Sequence, residues 1–158
     1  MDSDVRITIR DAGLEEADTV MQLMRLAFEE YRGRLYPESG ALGETLDDVR
    51  SGIASGGAFL ALVDKAIAGS ARYRVFSDHL YGERIGVLPA YRGLGIAAAL
   101  TKAIESTAGA RGVPQVQVKV RKSIPSNLRV YEKLGYRVVG FEPYPIGTDA
   151  QITLAKNL

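Results

Sequence analysis

The chain has 158 residues, of which 46% are hydrophobic and 25% charged, and this composition fits one globular domain over residues 1–158. Its 20 basic and 19 acidic side chains leave a net charge of +1, which argues against a nucleic-acid partner held by a general positive field. With no cysteine and one histidine, the chain has no thiolate and too few histidines for a histidine cluster, so we expect no disulfide, no thiolate chemistry and no metal site, and chemistry that rests on carboxylates, hydroxyls and backbone amides.

The N-terminal segment MDSDVRITIR carries charges and no apolar run of the kind a signal peptide needs. No stretch approaches the roughly 20 apolar residues of a membrane span. We therefore expect a cytoplasmic protein without a membrane partner.

The first half of the chain predicts a strand, two helices and a hairpin. Apolar residues alternate over 5–9, as in a half-buried strand, and recur every three or four residues over 14–31, as in a helix. Glycines and a proline interrupt this pattern before a short second helix over 45–54. Two apolar segments, 57–64 and 66–76, then predict an antiparallel hairpin.

The second half alternates strands and helices. The predicted elements are a strand over 81–88, a helix over 94–108, a strand over 113–121, a helix over 125–134, and strands over 136–142 and 150–157. Paired strands followed by this alternation predict an α+β fold, a mixed sheet with helices packed on its faces.

The segment GVLPAYRGLGIAAAL, residues 86–100, has the features of an anion-binding turn. It passes from an apolar strand through a turn into a helix, whose first amides lack intrahelical partners and carry partial positive charge. Gly93 and Gly95 let the backbone approach an anion closely, and Arg92 adds a guanidinium suited to phosphate. We expect a pyrophosphate to bind here.

The same turn also matches the dinucleotide-binding pattern G-x-G-x-x-G/A at Gly93, Gly95 and Ala98. This alternative fits less well, because residues 89–92 separate the strand from the first glycine. About 20 positions later, residues 115–119 contain no acidic side chain to hold a ribose.

The stretch over residues 86–100 and a second one over residues 124–141 resemble, in the expected order, the two signatures of the GCN5-related N-acetyltransferase (GNAT) superfamily. The first, a strand ending in V-x-P followed by R/Q-x-x-G-x-G/A, is matched at Arg92, Gly95 and Ala97. The second, Y-E-x-x-G-F/Y at the end of a short helix, is matched over residues 131–136. Many members carry an asparagine seven residues before the motif's tyrosine, which is Tyr131 here. This sequence has Ile124 at that position, and Asn127 lies four residues before the tyrosine.

The resemblance implies a GNAT-like fold, with a mostly antiparallel twisted sheet of six to seven strands and acetyl-CoA as co-substrate. The residues it implies for cofactor binding are Gly86, Val87, Leu88, Arg92, Gly93, Leu94, Gly95, Ile96, Ala97, Asn127 and Tyr131. For Asn127 a helix-capping or turn role is the alternative.

The resemblance also implies direct attack of an amine on the thioester, with a backbone amide of residues 86–88 polarising the carbonyl. Tyr131 is the candidate acid, because a phenol stays protonated at neutral pH, although an aromatic on a short helix also suits a core. Glu83 is the candidate base. The alternative is that its carboxylate, near the start of a strand, is merely exposed to solvent and has no role in the reaction.

Acceptor recognition in the superfamily involves the first helices, the loop after them and the chain end. We expect Tyr31, Arg34, Tyr36 and Tyr73 to contact the acceptor, a small-molecule or peptide amine. A solvated loop is the alternative for these residues, and a homodimer is possible. A non-catalytic CoA-binding module, a longer acyl donor or a hydroxyl acceptor also remain open.

Overall fold

The computed structural model describes residues 5–158, so residues 1–4 of the predicted domain and N-terminal segment lie outside it. Seven strands form one sheet in the order β1-β2-β3-β4-β5-β7-β6. The strands are β1 (Ile7–Asp11), β2 (Gly57–Val63), β3 (Ala66–Val75), β4 (Leu80–Val87), β5 (Gln115–Arg121), β6 (Arg137–Pro143) and β7 (Ala150–Asn157). Only β4 and β5 pair in parallel, and the other neighbours are antiparallel. The mixed, mostly antiparallel fold is thus confirmed.

Over the described residues, five α-helices accompany this sheet: α1 (Ala17–Phe28), α2 (Gly40–Gly43), α3 (Leu46–Ser55), α4 (Ile96–Ala110) and α5 (Pro125–Lys133). The single turn of α2 lies where the sequence predicted only a break. Helix α3, which the sequence did predict, begins with a capping box. The side chains of Thr45 and Asp48 each accept a hydrogen bond from the backbone amide of the other residue. Within residues 5–158, no helix is long and apolar enough to cross a membrane.

The two faces of the sheet carry separate hydrophobic clusters. Alternate residues of β2 divide between them: Phe59 and Ala61 pack with α4 and α5, while Ala58 and Leu60 pack with α1 to α3. This division follows from the period of two in a strand. The helices therefore lie on both faces, as expected from the sequence.

A bulge in β4 breaks the regular pairing at the centre of the sheet. Ser70 pairs with Gly86 and Arg72 with Glu83, so that two residues of β4 oppose one of β3. One of those two, Arg84, has a φ of 53°, which is uncommon outside glycine. Such a bulge bends its strand.

The parallel pairing between β4 and β5 is short. It covers only Leu80, Gly82 and the residue between them on β4, opposite Val116 to Val118 on β5. Beyond Gly82, β4 continues to Val87 with a hydrogen-bonded neighbour on the β3 side alone. The sheet therefore opens between β4 and β5, and the side of β4 that faces this opening keeps backbone groups available.

Candidate active site

Two adjoining cavities occupy the opening between β4 and β5. The turn cavity, of about 600 Å³, lies over the β4–α4 turn, and the strand cavity, of about 440 Å³, extends towards β5 and the loop after α1. Both volumes suit small molecules. The residues that line both are Phe28, Tyr31, Ile85, Ala97, Ile124, Asn127 and Val130. A ligand extending through both cavities would pass these shared residues.

The β4–α4 turn has the geometry of an anion site. Gly93 and Gly95 have φ angles of 82° and 84°, in the left-handed region that strains other residues. Helix α4 therefore starts at Ile96, two residues after the predicted start. Its first amides, on Ile96, Ala97 and Ala98, have no intrahelical acceptor, and all three residues line the turn cavity.

The Arg92 guanidinium is engaged within the protein. It donates to Glu30 at 2.8 Å, to the Val87 carbonyl at 3.2 Å and to the Ala27 carbonyl at 3.3 Å. These bonds join the end of α1 to the end of β4, and the ion pair lowers the pKa of Glu30. Because Glu30 balances its charge, Arg92 supports the turn, and the backbone amides of α4 provide the unbalanced positive end.

The backbone groups of Val87 and Leu88 point to opposite sides of β4. The Leu88 amide donates to the Ala68 carbonyl of the β3 side at 2.8 Å, so it is already occupied. Neighbouring residues of a strand direct their backbone groups to opposite sides, which turns the Val87 groups towards the opening. Consistent with this, the Val87 carbonyl accepts from Arg92 in the turn. Val87 is thus the better-placed amide of the predicted segment.

Tyr131 lines the strand cavity from α5. Its side chain is buried, and its ring meets Tyr136 edge-on with 5.8 Å between centroids. Burial raises the pKa of Tyr131 well above its ordinary value, and the Thr101 hydroxyl opposes this rise only in part. The phenol therefore stays protonated at any physiological pH and can donate a proton.

Glu83 lines the same cavity from β4, directly before the bulge. Arg74 on β3 donates to both of its carboxylate oxygens, at 3.0 and 2.8 Å. This forked pair fixes the carboxylate at the cavity wall, and each oxygen retains acceptor capacity for water or an amine. Within residues 5–158 no cluster of three or more His, Cys, Asp or Glu side chains could hold a metal.

The structure brings together most of the residues singled out in the sequence. Those lining one or both cavities are Tyr31, Arg34, Glu83, Gly86, Val87, Arg92, Gly93, Gly95, Ile96, Ala97, Asn127 and Tyr131. Asn127 is the third residue of α5 and Ile124 is its N-cap position, so Asn127 does not cap the helix.

Four singled-out residues lie elsewhere. Tyr73 lines neither cavity: the residue is 7% exposed, and its ring packs against Phe59 in the core at 5.7 Å between centroids. Tyr36 is 64% exposed and lines neither cavity. Leu88 and Leu94 pack against the hydrophobic clusters on opposite faces of the sheet.

Among the wall residues of the strand cavity that were missed are Tyr81, Lys119 and Arg121. The two cations alternate with buried valines on β5, which directs both to the face opposite α4. That alternation was visible in the sequence. What it does not reveal is that β5 lies beside β4 and that the two strands separate there.

Comparisons with solved structures show the same fold in acetyltransferases of low sequence identity. PaiA N-acetyltransferase from Thermoplasma acidophilum, in complex with coenzyme A, has a TM-score of 0.80 at 18% identity, covering 97% of this chain and 99% of that one. The ribosomal-protein-S18-alanine N-acetyltransferase from Escherichia coli gives 0.77 at 20%, covering 96% and 94%. A GNAT family acetyltransferase from Elizabethkingia anophelis with acetyl-CoA bound gives 0.72 at 21%, covering 96% and 98%.

The family model described as the acetyltransferase (GNAT) family matches residues 18–136. This match covers most of the sequence and includes both motifs, and the chain belongs to that family. It is an acetyltransferase, the family's acetyl-CoA is its co-substrate, and the resemblance noted in the sequence is confirmed.

Gly95→Ala tests the left-handed turn. A Cβ at Gly95 meets no atom within 4 Å, so the expected loss of about 1 kcal/mol comes from the positive φ alone. Gly109→Ala is the matched control, since its site in α4 is equally open without a positive φ, and it should stabilise by up to about 1 kcal/mol. Urea unfolding measures both, and equal effects would contradict the assigned turn.

Proposed function

We propose that this protein transfers the acetyl group of acetyl-CoA to the primary amine of a small molecule or peptide, by direct attack within the opening between β4 and β5. The observation that carries the proposal is the junction of the two cavities. A buried, protonated Tyr131 and a fixed Glu83 line one cavity, and the start of α4 lines the other. Acid, base and anion site therefore adjoin.

The turn cavity is the proposed site of the CoA pyrophosphate and pantetheine. The free amides from Ile96 onwards would bind the phosphates, as expected of a helix start. The opened side of β4 would pair with the amide groups of the pantetheine arm, as an added strand does. Neighbours of the same fold carry coenzyme A or acetyl-CoA in their crystal structures, which supports this placement.

The proposed reaction needs three groups from the protein. The Val87 amide donates to the carbonyl oxygen as it becomes an oxyanion, while the amine nitrogen bonds to the carbonyl carbon. Tyr131 donates its proton to the sulfur when the carbon–sulfur bond breaks. Glu83 accepts the amine proton, directly or through one water. Because the amine itself attacks the thioester, no covalent enzyme intermediate forms.

The strand cavity is the proposed acceptor site. Tyr31 stands between the two cavities and Arg34 at the wall of the turn cavity, so both could orient an acceptor near the thioester. One neighbour acts on the alanine of a ribosomal protein, which illustrates a peptide acceptor on this fold. The strand cavity is large enough for a small molecule or a peptide end.

Calorimetric titration with acetyl-CoA and with NAD tests the co-substrate site. We expect acetyl-CoA alone to bind. Arg92→Ala should weaken it by about tenfold, because the variant loses the ties from the turn to α1 and leaves Glu30 as an unbalanced negative charge. Glu30→Gln, which frees Arg92, should not weaken binding. Preference for NAD would support the dinucleotide alternative and contradict the proposal.

Tyr131→Phe tests the acid. Loss of the phenol proton should lower kcat by about a hundredfold or more while the Kd of acetyl-CoA changes little. Tyr136→Phe is the matched control, because that neighbouring hydroxyl donates to Glu105 instead, at 2.8 Å. Steady-state acetyl transfer to a reactive amine measures kcat for both variants. An unchanged kcat in Tyr131→Phe would show that Tyr131 is not the acid. If the protein binds CoA but transfers acetyl to no amine, it is a non-catalytic CoA-binding module instead.

A further inference from the structure

A smaller recess of about 420 Å³ opens beside the strand cavity, on the sheet face that carries α1 to α3. The two share five lining residues: Tyr81, Glu83, Arg84, Lys119 and Gln151. The principal packing of the α1 to α3 layer is against β2, β3 and β4, which leaves this face of β5 open. An acceptor whose amine lies at Glu83 would therefore extend its other end into the recess.

The charges around the recess are mostly positive. Arg74, Arg84 and Lys119 line it against a single carboxylate, Glu83, which Arg74 already holds with two hydrogen bonds. Arg84 donates to Glu44 at 3.0 Å, outside the recess.

The positive charge of Arg84 is only partly balanced by Glu44. Glu44 also pairs with the buried Arg72, so one carboxylate serves two guanidinium groups. Lys119 forms no ion pair within 4.0 Å with any carboxylate of residues 5–158. The recess thus holds positive charge that the protein itself does not balance.

Tyr81 at the floor of the recess is not free to receive a cation. The Arg74 guanidinium carbon and the Lys119 Nζ lie 5.5 and 5.4 Å from its ring centroid, from the strands on either side of β4. Both lie within cation–π distance. A second positive group on the acceptor would meet these cations, whereas an anionic group would meet ion-pair donors. Two exposed carboxylates oppose this preference: Glu38, which lines the strand cavity, and Asp78, which lies 2.7 Å from the ring of the lining residue His79.

We infer that the acceptor is a small amine that also carries a carboxylate or a phosphate, and that Lys119 and Arg84 bind this anionic group while the amine faces Glu83. The inference rests on the proposed acetyl transfer. Both carboxylate and phosphate accept charge-assisted hydrogen bonds from such donors. A polyamine or a strongly basic peptide is disfavoured by the same charges.

The test uses amines in matched pairs that differ only in the anionic group. β-Alanine is compared with β-alaninamide and O-phosphoethanolamine with ethanolamine, by release of the CoA thiol. The readout is the ratio of kcat/KM within each pair. Comparing that ratio between enzyme variants cancels differences in amine basicity. The pair with the larger ratio distinguishes a carboxylate acceptor from a phosphate acceptor.

The wild-type enzyme should favour the anionic member of at least one pair. Lys119→Gln should lower that preference by about tenfold, mainly through KM, because one charge-assisted contact is lost. Lys65→Gln, an exposed lysine in the β2–β3 turn, is the matched control and should keep the wild-type ratio. Calorimetric titration of each amine into the enzyme with CoA provides a second readout where turnover is slow.

Two kinds of failure are distinguishable. If CoA does not bind, the proposed function fails. If CoA binds but the neutral amines react or bind as well as the anionic ones, the inference alone is overturned. The same holds if no anionic amine reacts or binds, or if Lys119→Gln leaves the preference unchanged.

Discussion

The site depends on the interrupted pairing of β4. A bulge at Arg84 lets this strand keep its bonds to β3, while its pairing with β5 ends at Gly82. A regular parallel sheet would satisfy the backbone of both strands and close the opening. Because the strands separate instead, the two cavities form and the Val87 groups turn towards them. Both the donor and the acceptor sides of the site follow from that separation.

Paired charges organise the surroundings of this opening. Arg92 with Glu30 joins α1 to the turn, Arg74 with Glu83 fixes a carboxylate in the wall, and Arg84 with Glu44 ties the bulge to the start of α3. Arg92 and Arg74 are committed to their partners, whereas Glu44 also serves the buried Arg72 and leaves Arg84 only partly balanced. The positive potential available to a ligand therefore comes from the amides of α4 on one side and from Lys119 and Arg84 on the other.

The sequence predicted most of the fold, because strand and helix periods are local properties. It also predicted the β4–α4 turn, since the left-handed conformation at Gly93 and Gly95 demands glycine. The bulge was not predictable in this way, as its left-handed residue is an arginine. Contacts distant in the chain were equally hidden: Glu30 lies 62 residues before Arg92, and the inward orientation of Tyr73 depends on strand register.

Amide NMR of the protein titrated with coenzyme A tests the central claim most directly, because it reports on individual backbone groups of the opening. The account predicts that the largest changes occur at Val87 and over residues 93–98, with little change at Leu88, whose amide is already bonded to Ala68. Changes confined to another surface, such as the β6 edge, or none at saturating coenzyme A, would contradict it.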